Sequence, residues 1–344
     1  MGGDHAPAMV LDGLEIAAER HPAARFLLFG DEAQLAPLLA RHKRARAVCT
    51  IRHAPDVIPN EMKPTAALRA RNASMRLAID AVAAGEASGV VSAGNTGALL
   101  ALSKIVLKSL PGIDRPAMAA IGPSARGDVV MLDLGANVQC DARNLVQFAV
   151  MGDVFARTVL GLTSPSIGLL NVGSEELKGD DTVRLAAEVL RASPIGPQFH
   201  GFVEGHDIAA GTTDVVVTDG FTGNVALKTG EGALKLIGDL LRQVFTGSIA
   251  GRLAYLLARS GLDRLREWLD PRRYNGAVMV GLNGVVVKSH GGTDAQGFAH
   301  AIDVAMDMVV HRFNEQIRDG VARIALDKLM AQEKNGAGPR LVTG

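Results

Sequence analysis

Five segments of this chain combine glycine with hydrogen-bonding side chains: SAGNTGALL (92–100), LDLGANV (132–138), NVGSEELKGDD (171–181), TDGFTGNVALK (218–228) and SHGGTDAQG (289–297). Each follows an apolar run, and three run straight into helical patterns, at Asn95-Thr96, Thr222-Gly223-Asn224 and Thr293-Asp294. A helix start offers unpaired N–H groups and a partial positive charge, which suits a phosphate or a developing oxyanion. Gly97 and Gly223 let a backbone approach such a group closely. Lys178 stands between acidic residues and Gly179, the ordinary setting of a solvated lysine, although beside a phosphate it would neutralise charge. Asp133, Asn137 and Asp219 read equally as caps or turn formers, and His290 and Asp294 sit in a similar turn. Glu204, His206 and Asp207 offer acid–base groups in a composition that is also common where a strand turns into a helix.

Several chemistries are disfavoured. There is no G-x-x-x-x-G-K-[ST], no G-x-G-x-x-G after a strand and no G-x-S-x-G, which counts against a P-loop, a dinucleotide fingerprint and a serine-nucleophile elbow. The nine histidines form no H-x-x-x-H or Cys/His pairing, so neither a metal nor another cofactor is expected. Lys plus Arg and Asp plus Glu both total 36, giving zero formal charge and no bulk attraction to nucleic acid. Cys49 and Cys140 are too few for a disulfide framework, and no signal-peptide pattern is visible. No apolar stretch reaches the roughly 18 residues that span a bilayer. The expectation is a cytoplasmic protein that can lie on a membrane without crossing it.

The elements that must position these loops alternate in type. Apolar runs at 25–30, 89–94, 128–135, 166–173, 214–220 and 284–291 read as strands, and helical periodicity marks 74–85, 180–192 and 294–318. Strand followed by helix, repeated, predicts an α/β fold: a doubly wound, mainly parallel sheet with helices on both faces, in a single domain over 1–331. Ligands of such sheets bind beyond the carboxyl ends of the strands, so the five loops are expected to share one edge and one cleft. The segment 244–273 reads as two short amphipathic helices joined near Ser260 and Gly261. Leu253, Leu256, Leu257 and Trp268 fall on one face, with Arg259 among an excess of arginines. That pattern suits a membrane surface or an acidic partner, or equally a hairpin packed on the core or in a dimer interface. Residues 332–344 read as a loose tail. The opening MGGDHAP is a strand-end turn with no strand before it, in which Asp4 is a candidate cap for the helix through Val10 and Leu14.

In order along residues 1–318, MGGDHAP, SAGNTGAL, RPAMAAI, LDLGANV, LLNVGSEELKGDD, VVVTDGFTGNVALKT and SHGGTDAQGF resemble phosphate acyltransferases of the PlsX type. The resemblance implies a fold related to phosphate acetyltransferases and isopropylmalate-type dehydrogenases, and a homodimer attached peripherally to the cytoplasmic membrane. It implies transfer of a fatty acyl chain from acyl carrier protein to inorganic phosphate, with the acyl phosphate passing to a glycerol-3-phosphate acyltransferase for phospholipid synthesis. Carried onto matching positions, it makes Lys178 and Asn224 catalytic and places Asn95, Thr96, Gly97, Asp133, Asn137, Thr222, Gly223, His290 and Asp294 around the substrates. It also implies an apolar strand ahead of MGGDHAP, without which the fold would be less stable. A coenzyme A-dependent phosphate acetyltransferase and a non-catalytic membrane-surface scaffold are the alternatives.

Overall fold

A computed structural model describes residues 1–324, and the tail expected at 332–344 lies outside them. The chain alternates helices and strands. It begins with α1 (Ala8–Arg20), β1 (Phe26–Gly30), α2 (Glu32–Leu39), α3 (Lys43–Val48), β2 (Cys49–His53), α4 (Pro64–Ala67), α5 (Ser74–Ala83), β3 (Gly89–Ser92) and α6 (Thr96–Val106). Next come β4 (Ala117–Ser124), β5 (Gly127–Leu132), α7 (Ala142–Val159), β6 (Ile167–Leu170), α8 (Asp181–Arg191), β7 (Phe199–Val203), α9 (Gly205–Ala210) and β8 (Val215–Val217). The last described elements are α10 (Gly220–Thr246), α11 (Ile249–Trp268), β9 (Ala277–Val280), β10 (Val285–Lys288), α12 (Ala295–Val310) and α13 (Phe313–Ile324).

The main sheet has eight strands in the order β3-β10-β9-β4-β5-β8-β6-β7. All six runs expected to be strands are strands. β2, β4, β7 and β9 carry a weaker signal: β4 reads AMAAIGPS, poor in the branched residues that favour strands. Two of these overlooked strands change the site. β5, β8, β6 and β7 run parallel, whereas β4 pairs antiparallel with both β5 and β9, and β9 pairs antiparallel with β10. β10 and its parallel neighbour β3 therefore run opposite to β5, β6 and β8. The five glycine loops do not share one edge. Those after β5, β6 and β8 leave one edge, and those after β3 and β10 leave the other.

α7 is the central helix, lying against the sheet, with Phe148, Met151 and Phe155 fully buried. It lies close because residue 152 is glycine: a Cβ there would come within 2.5 Å of a Val215 methyl and 2.9 Å of a Leu132 methyl. α13 covers its far side, where Phe155 meets Phe313 edge-on at 6.0 Å. On the opposite face α5, α6 and the start of α10 pack over Val90, Met131, Val216 and Val286. β1 and β2 form a separate parallel pair. Between them and β3 lies an apolar cavity of about 520 Å³, lined by residues such as Met1, Leu28, Met75, Val91, Phe298 and Ile302.

Three local expectations are corrected. Asp4 does not cap α1, whose N-cap is Pro7; its carboxylate instead accepts from Asn60 Nδ2 at 3.3 Å. The stretch 294–318 is two helices, broken where Arg312 adopts φ 51°. The segment 244–273 does not bend at Ser260-Gly261: α11 is continuous from Ile249, and its hairpin partner is the long α10. One glycine costs about 1 kcal/mol in a helix, less than the good helix formers around it supply. Ser248, accepting from Gly251 N at 2.9 Å, fixes where α11 begins. The protruding hairpin itself is present, and no residue of α11 is buried.

Phe155→Ala should empty the α7/α13 contact and cost about 3–5 kcal/mol of unfolding free energy, read as a lower denaturant midpoint at unchanged slope. A loss under about 1 kcal/mol would show that α13 contributes little to the core.

Candidate active site

On the edge where β5, β6 and β8 end, the loop Asp133–Asn137 wraps around one carboxylate. Asp133 is 0% exposed. Its Oδ1 accepts from the N–H groups of Met118 (2.9 Å), Gly135 (3.2 Å) and Ala136 (3.0 Å). Its Oδ2 accepts from Asn137 N (2.7 Å) and Asn137 Nδ2 (2.9 Å). Burial pushes the Asp133 carboxyl above its ordinary range, and these donors partly offset that cost. The loop then holds the start of α10, since Gly220 N donates to Asn137 O at 2.7 Å. Gly223 must be glycine at this contact, because a Cβ would meet Asp133 O at 2.0 Å.

Asp219 caps α10, accepting from Thr222 N at 2.9 Å and from the Thr222 hydroxyl at 2.7 Å. The β6 loop is held by Asn171, whose Nδ2 donates to Gly173 O and Lys178 O, each at 3.1 Å. Gly179 adopts φ +84° directly over this amide, a conformation and a space that favour glycine. The three loops enclose a cleft of about 890 Å³, lined among others by Val138, Cys140, Asn171, Val172, Asp219 and Thr222.

Most of the polar side chains expected here are engaged in building the loops. Two are not. The Lys178 ammonium and the Asn224 amide make no hydrogen bond or ion pair with the described residues; both residues are exposed, and Asn224 lies beside Gly135. Asp133, Asn137 and Asp219, by contrast, are held inside the scaffold. Glu204 and Asp207 form a capping box on α9, with Asp207 also accepting from the Thr212 hydroxyl at 2.6 Å.

The opposite edge gathers the other group. Asn95 caps α6 through Ala98 N at 3.0 Å and donates to the carbonyls of Pro59, Asn60 and Met62 at 3.2, 2.8 and 2.9 Å. Thr96 is exposed at the helix start, and Gly97 packs under Pro64. His290 accepts from Gly292 N through Nδ1 at 3.1 Å. Asp294 caps α12 through Gly297 N at 3.0 Å and pairs with Arg272 at 3.3 Å. Sequence reasoning passed over Lys288, a buried lysine ending β10 whose Nζ reaches Ala93 O at 3.4 Å. Burial lowers its pKa to about 8. Its position, last in a run of valines, was the only available signal. Among the described residues no hydrogen bond or ion pair joins the two groups, and no set of His, Cys, Asp and Glu is arranged to hold a metal ion.

With this geometry in place, the comparisons with known proteins settle the family. Residues 1–316 match the model of a family described as fatty acid synthesis protein. The chain belongs to this family. A protein named phosphate acyltransferase from Acidiphilium cryptum is 74% identical over 339 residues, covering 98% of this chain and 89% of that protein. A phosphate acyltransferase from Granulibacter bethesdensis is also 74% identical, over 94% of this chain and 88% of the relative. Among solved structures, a phosphotransacetylase from Streptococcus pyogenes aligns with TM-score 0.57 at 16% identity, over 87% of this chain and 91% of that one. A branched-chain phosphotransacylase from Enterococcus faecalis V583 aligns with TM-score 0.53 at 18% identity, over 90% and 96%. The fold is thus of the phosphotransacetylase type, and the relatives named phosphate acyltransferase place the chain among acyltransferases.

Neither cysteine is an activated nucleophile. Burial pushes Cys140 up to about 11, helped by Asp133, and does the same to Cys49. At pH 8 iodoacetamide should alkylate both about a hundredfold more slowly in the native protein than in urea, because the thiolate is the reactive form. Equal rates would place an ionised thiol in the cleft.

Proposed function

We propose that the cleft formed by the β5, β6 and β8 loops transfers a fatty acyl group from acyl carrier protein to inorganic phosphate. The observation that carries this reading is the pair of unengaged donors, Lys178 and Asn224, on preorganised loops at one cleft. A phosphate oxygen attacks the thioester carbonyl carbon. The tetrahedral oxyanion then collapses, the C–S bond breaks, and the carrier's sulfur leaves with the electron pair as thiolate. The products are acyl phosphate and free carrier, with no covalent intermediate on the protein. Thiolate is a good leaving group, so the chain mainly has to hold two reactants together and stabilise developing negative charge.

Lys178 neutralises charge on phosphate, and Asn224 in the first turn of α10 faces the oxyanion, while Thr222, whose N–H and hydroxyl are committed to Asp219, helps to hold that turn. Asp133, Asn137 and Gly223 position that helix start. Asn95, Gly97, His290 and Asp294 hold the opposite edge, where Thr96 is exposed, and are not assigned to the reaction within one chain.

The acidic carrier needs a locally basic dock. Lys63, Arg69 and Arg71 are candidates. Arg76 is a weaker one, since Asp80 already accepts from its Nε at 2.9 and 3.0 Å. The hairpin of α10 and α11 is assigned to peripheral contact with the cytoplasmic membrane or with a second copy in a homodimer. Leu253, Leu256 and Leu257 are exposed there beside Arg259 and Trp268. Among the described residues no helix is long and apolar enough to cross a membrane. Acyl phosphate is a reactive anhydride, which favours delivery to a membrane acyltransferase acting on glycerol 3-phosphate.

Purified protein given long-chain acyl carrier protein should form phosphate-dependent acyl hydroxamate when trapped with hydroxylamine. Lys178→Ala and Asn224→Ala should each lower kcat about 10²–10³-fold, roughly 3 kcal/mol of transition-state stabilisation. Full turnover in either folded variant would remove that residue from the mechanism. Replacing Leu256 and Leu257 by Glu should release the protein from anionic vesicles while leaving its melting temperature unchanged; undiminished vesicle binding would move membrane contact away from α11.

A further inference from the structure

Four large apolar side chains stand out around the same cleft. Val138 is 68% exposed, Val172 80%, Leu177 88% and Phe221 62%. Val138 stands on the loop after β5, Val172 and Leu177 on the loop after β6, and Phe221 in the first turn of α10, directly after β8. Val138, Val172 and Phe221 line the cleft directly, and Leu177 immediately precedes Lys178 on the loop that contributes Val172. Three exposed apolar residues of this size lining one cleft, with a fourth on one of its loops, mark a binding surface. The lining also holds polar groups, namely Asn171, Asp219 and Thr222, and the same chain segments carry Lys178, next to the lining residue Gly179, and Asn224, two residues after Thr222.

The combination is amphipathic on the scale of one ligand. Its volume, about 890 Å³, falls within the roughly 300–1,000 Å³ typical of small-molecule sites. The backbone that carries the rim is pinned by Asp133, Asn171 and Asp219, so the positions from which the apolar side chains project are set before any ligand arrives. The hairpin patch starts at Glu231, further along α10, and is lined by another set of residues.

We infer that Val138, Val172, Leu177 and Phe221 form the seat of the substrate's acyl chain and set the preference for long chains over short ones. This rests on the acyl-transfer reading of the same cleft. A chain lying along the rim puts its carbonyl beside Lys178 and Asn224 and removes methylenes from water, each methylene buried contributing roughly fourfold in affinity. An acetyl group cannot reach the rim, so nothing it offers is paired with that surface.

The test compares the native protein with Val172→Ser/Leu177→Ser, in both a kinetic and a turnover-independent measurement. The ratio of kcat/KM for a 16-carbon thioester to that for a 2-carbon thioester should fall at least tenfold, mostly through KM. Binding of a fluorescent 16-carbon fatty acid should weaken to a similar degree. In contrast, Leu241→Ser/Leu265→Ser, in the groove between α10 and α11, should leave the probe's affinity unchanged. An unchanged ratio and unchanged probe affinity in the rim variant would overturn the assignment. So would loss of the probe in the hairpin variant alone, or a rim variant that alters only the oligomeric state, which would make the rim a contact between copies. If no thioester is turned over by the native protein, the acyl-transfer reading fails, while the probe measurement still decides whether the rim holds an aliphatic chain.

Discussion

The buried carboxylate of Asp133 is the constraint on which the site depends. An ionised carboxylate out of water is costly unless donors surround it. Here they do: three backbone N–H groups besides that of Asn137, together with the Asn137 amide, converge on its two oxygens. One of them, Met118 N, belongs to β4, so the carboxylate ties the loop after β5 to the neighbouring antiparallel strand. The loop so formed passes its Asn137 carbonyl to the first N–H of α10 and leaves a gap only glycine fills at 223. A single carboxyl group thereby sets the position of the helix start that carries Thr222 and Asn224.

The same division of labour runs through the rest of the molecule. Asn171 organises the β6 loop from inside and leaves Lys178 outside, while Asp219 organises the start of α10 and leaves Asn224 outside. Groups committed to hydrogen bonds within a loop cannot also meet a ligand, and preorganisation requires that they stay committed. α7 supplies the stiffness behind this arrangement. With Gly152 permitting close approach and Phe155 locked against Phe313, it fixes the relative positions of β5 and β8, whose ends carry the loops.

Much of the fold was legible because its parallel strands are short runs of Val, Ile and Leu that end in glycine, a pattern that periodicity detects directly. β5, β6, β8 and β10 fall where such runs fall. β4 and β9 escaped for opposite reasons: the first is rich in alanine, and the second is a four-residue run placed straight after an arginine-rich segment. The hairpin's break at Ser260-Gly261 was over-read, since a lone glycine within good helix formers carries a cost that the surrounding turns outweigh.

The sequence by itself determined the family, through motifs that recur in a fixed order, and the α/β character, through alternating apolar runs, while Lys178 and Asn224 entered as candidates carried over from the resemblance. Only the tertiary structure decided which of the candidate residues share an edge of the sheet. Two antiparallel strands in mid-sheet reverse β10 and β3, so Asn95, Thr96, His290 and Asp294 are carried to the edge opposite Lys178 and Asn224. Strand direction is set by long-range pairing, and no local pattern encodes it. The same holds for engagement: whether an asparagine caps a turn, as Asn95 does, or stays free, as Asn224 does, depends on which carbonyls and N–H groups the fold brings within 3 Å of it.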